Sequence, residues 1–186
     1  MTIDLAGALR KLKPEKRRAR LAARPRQELV SAADLAGAGP LALLPDTNVY
    51  ILDAAGRLPS EAAALVDRAL LVHCSVCLGE LAVGVANADP ERAGWRTRRD
   101  HYATLFAAVP ATRLLTPDAQ VWTEAGLIAG TLARTQGYGK AQLKGLLADA
   151  LIYLTATKAG LPVLTADRAD FDIIQQLAPE GRVVGF

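Results

Sequence analysis

The chain alternates between short apolar runs and longer stretches in which apolar residues return every three or four positions. Residues 41–46 form a short apolar run that stops at Asp46 and read as a buried strand. A helical pattern follows over roughly 59–70, then an apolar run at 70–76 that reads as a second strand and a short helix at 78–86. Residues 90–109 are helical in pattern and basic on one side. A further helix is predicted over 117–136, with Pro117 at a position suited to helix entry and Gly137 and Gly139 breaking it. Residues 141–159 predict a strongly apolar helix with Gly160 just past its end. Residues 161–165 read as a third strand, 170–177 as a short helix and 182–186 as a final strand. Strands separated by helices need crossover connections, so the predicted class is α/β, a three-layer α/β/α sandwich around a mostly parallel central sheet.

The first forty residues do not share this rhythm. They read as a basic helical N-terminal extension interrupted at Pro14 and Pro25, with a boundary over 37–40 where glycine frees the backbone and proline stops a helix. The expected organisation is therefore an extension at 1–40 and one domain at 41–186. Charge separates along the same line: the extension holds nine Lys and Arg against four Asp and Glu, and the remainder thirteen against fifteen. A basic arm on a mildly acidic body suggests an anionic partner, nucleic acid before membrane because the arm lacks a large apolar face. On this reading the arm binds RNA or a partner and leaves the core to the body.

Composition narrows the field. With 186 residues, 51% of them hydrophobic and 22% charged, the chain can fill one core without help. Two cysteines cannot staple it. It has neither an uncharged run long enough for a membrane helix nor a signal-peptide core, so a cytoplasmic location is expected.

In parallel sheets ligands gather beyond the carboxyl ends of the strands, which draws attention to acids placed where apolar runs stop. Asp46 ends the first strand, Asp167 follows the third by two residues, and Glu80 lies in the first turn of the helix after the second. Asp149 is the odd one. Its helical neighbours three and four positions away are Leu146, Gly145, Ile152 and Tyr153, so no local cation can neutralise it. A buried carboxylate escapes its desolvation cost by a distant salt bridge, by protonation or by a metal. Four acids without accompanying His or Cys suit Mg²⁺ or Mn²⁺ better than zinc, and such a centre fits phosphodiester hydrolysis.

The residues also carry a family resemblance. Leu44-Pro45-Asp46-Thr47-Asn48, Ser75-Val76-Cys77-Leu78-Gly79-Glu80, Leu147-Ala148-Asp149-Ala150 and Leu164-Thr165-Ala166-Asp167 followed by Asp170-Phe171 together resemble a PIN domain, in particular a VapC-type toxin ribonuclease. The likeness spans about residues 41–186. It implies that Asp46, Glu80, Asp149 and Asp167 form the catalytic metal-binding centre, with Thr47, Asn48 and Thr165 holding the carboxylates or the phosphate by hydrogen bonds. It further implies an Mg²⁺- or Mn²⁺-dependent endoribonuclease leaving 5′-phosphate and 3′-hydroxyl ends, the toxin of a type II toxin–antitoxin pair, with a cognate antitoxin and a homodimeric assembly. The family's toxins begin close to their first Asp, so the extension has no counterpart in the resemblance.

Other readings stay open beside this one. Asp46 and Asp167 could cap turns, and Glu80 could sit in a helix dipole. The domain could be a nucleic-acid-binding module with a vestigial acidic centre, or a metal-dependent phosphoesterase acting on a small molecule. Arg96, Arg98 and Arg99 around Trp95, with Lys140 and Lys144 ahead of Asp149, are candidates for binding single-stranded RNA; the alternative is a solvated helix face with pairs such as Arg96 and Asp100. Cys74-Ser75-Val76-Cys77 has the spacing of a redox pair or half a zinc site, and equally of two packing residues.

Overall fold

The computed structural model describes residues 3–37, 39 and 41–186, so the expected boundary at 37–40 falls partly outside the described residues. The extension contributes α1 (Leu5–Leu12) and three short 3₁₀ turns. The body follows as β1 (Ala42–Pro45), α2 (Thr47–Ala54), α3 (Ser60–Arg68), β2 (Leu70–Leu71), β3 (His73–Cys74), α4 (Ser75–Ala86), α5 (Trp95–Ala108), β4 (Leu114–Leu115), α6 (Ala119–Gln136), α7 (Lys140–Lys158), β5 (Pro162–Thr165), α8 (Arg168–Leu177) and β6 (Arg182–Gly185).

Four strands form a parallel sheet in the order β2-β1-β5-β6, and β3 pairs with β4 in a second parallel pair. The two-residue period of a strand sends neighbouring side chains to opposite faces. Leu43, Leu164 and Val184 accordingly enter one apolar cluster with Val49, Ala62 and Leu65, while Leu44 and Val163 enter the other with residues of α4, α6, α7 and α8. Both faces of the sheet are thus covered by helices, which makes the three-layer sandwich. The chain leaves β1 toward β2 on one side and returns through β5 toward β6 on the other, so the order reverses at the β1/β5 junction.

Three differences from the sequence pattern have physical causes. Helix α2 is built from Thr, Asn, Val, Tyr and Ile, which favour helices weakly; it is set instead by Asp46, whose side chain accepts from the Thr47 N–H at the N-cap, and by the burial of Val49 and Tyr50. The run at 70–76 becomes two strands, β2 beside β1 and β3 beside β4, and it stops at Cys74 because that residue is the N-cap position from which α4 starts. Strand β4 is too short to announce itself. Elsewhere the punctuation holds, with Gly137 (φ 74°) closing α6 and Gly160 (φ 69°) following α7 in the left-handed region that glycine enters without strain.

The extension lies against the body. Helix α1 packs on α6, with Ala8 and Leu12 buried, and Leu21 packs on the same cluster. Farther along, Ser31 forms a parallel bridge to Gly185, with the Ala32 N–H donating to the Gly185 carbonyl (2.9 Å) and the Gly185 N–H to the Val30 carbonyl (2.9 Å). The free edge of β6 is thereby paired. Part of the basic charge is used here as well: Lys11 pairs with Glu124 at 3.1 Å, and the Arg24 guanidinium with buried Asp172 at 2.6 Å. Lys13, Lys16, Arg18 and Arg26 remain exposed.

Asp172 receives the Arg24 backbone N–H, its Nε–H and a Gln176 amide. Removing the guanidinium leaves a buried carboxylate with fewer donors. Arg24→Met is therefore expected to lower urea-unfolding stability by about 2 kcal/mol, the full cost of a broken buried pair being reduced because Arg24 is itself half exposed. Lys11→Met, at an exposed pair, should change it by less than about 1 kcal/mol.

Candidate metal centre

The site is assembled where β1 and β5 end side by side. Asp46 follows β1 and is 3% exposed, its N–H donating to the Leu164 carbonyl of β5 at 2.9 Å. One carboxylate oxygen, Oδ1, accepts from the Thr47 N–H (2.6 Å); the other, Oδ2, accepts from the Thr165 hydroxyl (2.8 Å) and the Asn48 amide. Thr165 is a junction, since its Oγ1 also accepts from Asn48 Nδ2 (3.1 Å) and from the Asp167 N–H (2.9 Å). Asn48 Oδ1 in turn accepts the Ala166 N–H at 3.0 Å. These bonds tie α2 to the β5–α8 turn and fix the Asp46 carboxylate in one orientation.

Glu80 comes from the second turn of α4, partly buried, with Oε2 accepting from the Thr47 hydroxyl at 2.5 Å. Asp149 projects from the middle of α7, between the buried Leu146 and Ala150; it is partly buried, and among the described residues no hydrogen bond or ion pair reaches it. Asp167 is exposed at the entrance of α8. Thr47, Asn48 and Thr165 thus hold carboxylates, with Asp46 and Glu80 tied into the network, while Asp149 and Asp167 join it electrostatically.

The acids sense one another. Burial, above all, raises the pKa of Asp46 to about 7, with Glu80 and Asp167 adding to the rise and the Thr165 and Thr47 hydrogen bonds opposing it. Burial likewise raises Asp149 to about 8, reinforced in turn by Asp46, Asp167, Glu80 and Asp170. Asp170 was not among the sequence candidates. It too is raised, by burial and then by Asp167, and its spacing of three residues from Asp167 into the first turn of α8 was the available signal. Among the described residues no Lys, Arg or His forms a salt bridge with any of the five.

This donor set suits a hard divalent cation. No three His, Cys, Asp or Glu side chains among the described residues gather closely enough to enclose an ion by themselves. Mg²⁺ does not need such a cage, because it keeps several waters and is commonly bound through one or two carboxylates. Asp46 and Asp149 are two such carboxylates, and Glu80 and Asp167 act on both electrostatically.

The basic candidates lie outside this cluster to different degrees. Arg98 lines a groove of about 600 Å³ between α2, α4 and α5 together with Glu80, Ile51, His101 and Tyr102, so it borders the site. Arg99 lies over the Trp95 ring at 5.3 Å and pairs with Asp100 at 2.6 Å, in place of the Arg96–Asp100 pair that the spacing offered. Arg96 is exposed on α5, as are Lys140 and Lys144 on the first turns of α7.

Comparison with known proteins completes the picture. Residues 43–176 match the model of the PIN domain family. No curated protein sequence matches the chain. Among solved structures, FitAcB from Neisseria gonorrhoeae aligns at 23% identity over 77% of this chain and 96% of that one, with a TM-score of 0.54. VapBC-5 from Mycobacterium tuberculosis, a member of the VapBC family of toxin–antitoxin systems, aligns at 22% identity over 79% of this chain and 100% of that one, with a TM-score of 0.53. VapBC2 from Rickettsia felis, solved with a DNA fragment from its promoter, aligns at 14% identity over 78% of this chain and 99% of that one, with a TM-score of 0.52. At these identities the likeness is one of fold.

Proposed function

The chain belongs to the PIN domain family, and from that premise we propose that it is a divalent-metal-dependent ribonuclease, the toxin of a toxin–antitoxin pair. The observation that carries the reading is the pair Asp46 and Asp149 at the β1/β5 junction, both raised above all by burial and then by neighbouring acids, Asp46 by Glu80 and Asp167 and Asp149 by Asp46, Asp167, Glu80 and Asp170, with no salt-bridged cation among the described residues. Such a pair is costly to keep unless something positive binds there.

Asp46 and Asp149 would hold Mg²⁺ or Mn²⁺, with Glu80 and Asp167 beside them. When bound, the ion supplies positive charge that activates water and stabilises the negative charge building on the cleaved phosphodiester. The chain does the rest. Thr165 and Asn48 lock Asp46 Oδ2, and the Thr47 N–H locks Oδ1, so the carboxylate meets its ligand without reorganising. Thr47 Oγ1 likewise orients Glu80. Arg98 at the groove beside Glu80, with the exposed Arg96, Lys140 and Lys144, would attract the RNA backbone. A cognate antitoxin and a homodimer belong to the same proposal, by analogy with the toxin–antitoxin complexes that share the fold. Among the described residues no helix is long and apolar enough to cross a membrane.

Incubation with total RNA, with Mn²⁺ or with EDTA, followed by mapping of the cut ends, tests the reading. Cleavage that requires Mn²⁺ is expected, and unchanged cutting in EDTA would falsify it. Loading also displaces protons, because Asp46 and Asp149 hold them to about 7 and about 8. Calorimetry should find Mn²⁺ affinity rising between pH 6 and pH 8, with proton release that shrinks over the same interval. A pH-independent affinity would contradict the pairing of these two acids.

A further inference from the structure

The extension is held in place even where it has no regular helix. Helix α1 ends at Lys13, whose left-handed backbone (φ 50°) turns the chain out along the body. From there the body pins the backbone at both ends of the segment that follows. Arg134 of α6 donates to the Pro14 carbonyl at 2.8 Å. Gln136, the last residue of α6, donates through Nε2 to the Leu21 carbonyl (3.1 Å) and accepts from Arg20 Nε (3.2 Å). Gln176 of α8 donates to the Ala22 carbonyl (3.0 Å), and the Arg24 N–H donates to Asp172 Oδ2 (2.7 Å). This pinned segment is also where the charge is densest, since residues 13–26 carry seven Lys and Arg against one acid, Glu15.

Most of that charge faces solvent. Lys13, Lys16, Arg18, Arg20 and Arg26 are exposed and Arg17 is half-buried, and among the described residues none of them forms a salt bridge. Arg134, exposed beside Pro14, adds a cation from the body. A basic run that only keeps a surface solvated needs no fixed backbone, and fixing it preserves its self-repulsion. A fixed array is instead what lets a polyanion bind without first ordering the chain. A membrane surface suits the segment less well, because Leu21 is its one large apolar side chain and is packed against the core.

The acidic centre cannot itself attract a polyanion. It gathers acids without a salt-bridged cation among the described residues, and residues 41–186 hold thirteen Lys and Arg against fifteen Asp and Glu. The pinned segment shares its supports with that centre. Gln136 stands four residues before Lys140, where α7, the helix of Asp149, begins, and Gln176 stands about 9 Å along α8 from Asp170. We propose that residues 13–26, with Arg134, form a fixed basic track that binds phosphates of the substrate RNA and holds the strand near the acidic centre. The proposal rests on the ribonuclease reading. The track holds phosphates away from the bond being cut, so it binds substrate and transition state alike; it lowers KM and leaves kcat unchanged.

The side chains of Lys13, Lys16, Arg18 and Arg26 make no hydrogen bond or ion pair among the described residues, so replacing all four by Gln in the full chain removes charge and keeps the anchors; equal melting temperatures check this. Binding of a labelled single-stranded RNA is titrated in EDTA at several salt concentrations, and steady-state cleavage is measured separately with Mn²⁺. The variant should bind about tenfold or more weakly at low salt, and the slope of log affinity against log salt should shrink by about 2–3, near 0.7 for each lost cation. With Mn²⁺, kcat/KM should fall and kcat should hold. Arg57→Gln, at an exposed residue after α2, should change the affinity by no more than about twofold. Equal affinity and slope in variant and wild type, a loss that does not depend on salt, or weakened binding to anionic phospholipid vesicles with RNA affinity unchanged would each overturn the proposal. The two readings separate cleanly: RNA binding that follows the track in a protein that cuts nothing with Mn²⁺ removes the ribonuclease reading, whereas cutting with unaltered binding removes the track.

Discussion

Asp149→Asn is expected to abolish RNA cleavage, lowering the rate by about a thousandfold or more. The substitution keeps the shape of the side chain and removes its charge. Asp149 makes no protein hydrogen bond among the described residues, so nothing structural is lost with that charge. What is lost is half of the pair that would hold the cation, and with it the stabilisation of charge on the phosphate, worth several kcal/mol. A thousandfold loss corresponds to about 4 kcal/mol. Asp46→Asn should be as damaging, and it would also turn Oδ2, which accepts from both Thr165 and Asn48, into a group with weaker accepting power or a misplaced donor. Glu61→Gln, at an exposed acid on α3, should leave the rate within a factor of two or so, within the range of ordinary surface substitutions. The measurement is single-turnover cleavage of an RNA that the wild type cuts, at saturating Mn²⁺. An Asp149→Asn protein with wild-type activity would remove this residue from the site.

The same substitution should stabilise the metal-free protein near neutral pH, the reverse of what losing a polar group in a core normally does. In the unfolded chain Asp149 and Asp46 lose their protons near pH 4; in the folded chain they hold them to about 8 and about 7. Below pH 4 both states are protonated and there is no penalty. Between pH 4 and pH 8 the folded state binds more protons than the unfolded one, so stability falls as pH rises and levels off above about 8. Asp149 is partly exposed, which moderates its share to roughly 2 kcal/mol at pH 8. Removing that penalty should raise the melting temperature of the apo Asp149→Asn protein by about 4–8 °C at pH 8, and by almost nothing at pH 4. Mn²⁺ acts oppositely. At about 100 times its dissociation constant it should stabilise the wild type by ~2.7 kcal/mol, and most of that rise should vanish in the variant. Paired melts at pH 4 and pH 8, with EDTA and with Mn²⁺, check all four values. A strongly destabilised apo variant at pH 8 would mean that Asp149 neutralises a buried cation and does not belong to a cluster of like charges.

Asp149 shows how much of this was legible in the sequence. Its apolar neighbours left it without a local cation, and among the described residues none pairs with it. The long helices α6 and α7 and the strands β1, β5 and β6 were readable for a similar reason, since their patterns run long enough or end on glycine, proline or an acid. Helix α2 was hidden because a capping side chain and buried contacts set it against the preferences of its residues. Asp170 was passed over because its position matters only once α8 is known to start at Arg168 and turn its first residues toward Asp167. The extension was readable as basic and segmented. That it would pack on α6, supply Arg24 to Asp172 and pair with β6 depends on contacts more than a hundred residues apart, and no local pattern reports those.

The pairing of Ser31 with Gly185 also fixes an order of assembly. During synthesis Ser31 is made about 150 residues before its partner, an interval of roughly 8–30 s at ordinary elongation rates. Strand β1 waits in the same way for β5, and Asp46 for Asp149 and Asp167. The acids of the centre can therefore be brought together only at the end of translation, after α7 and β5 have emerged. On the proposed reading, a nascent chain short of α7 lacks Asp149 and with it the means to cut the message being read.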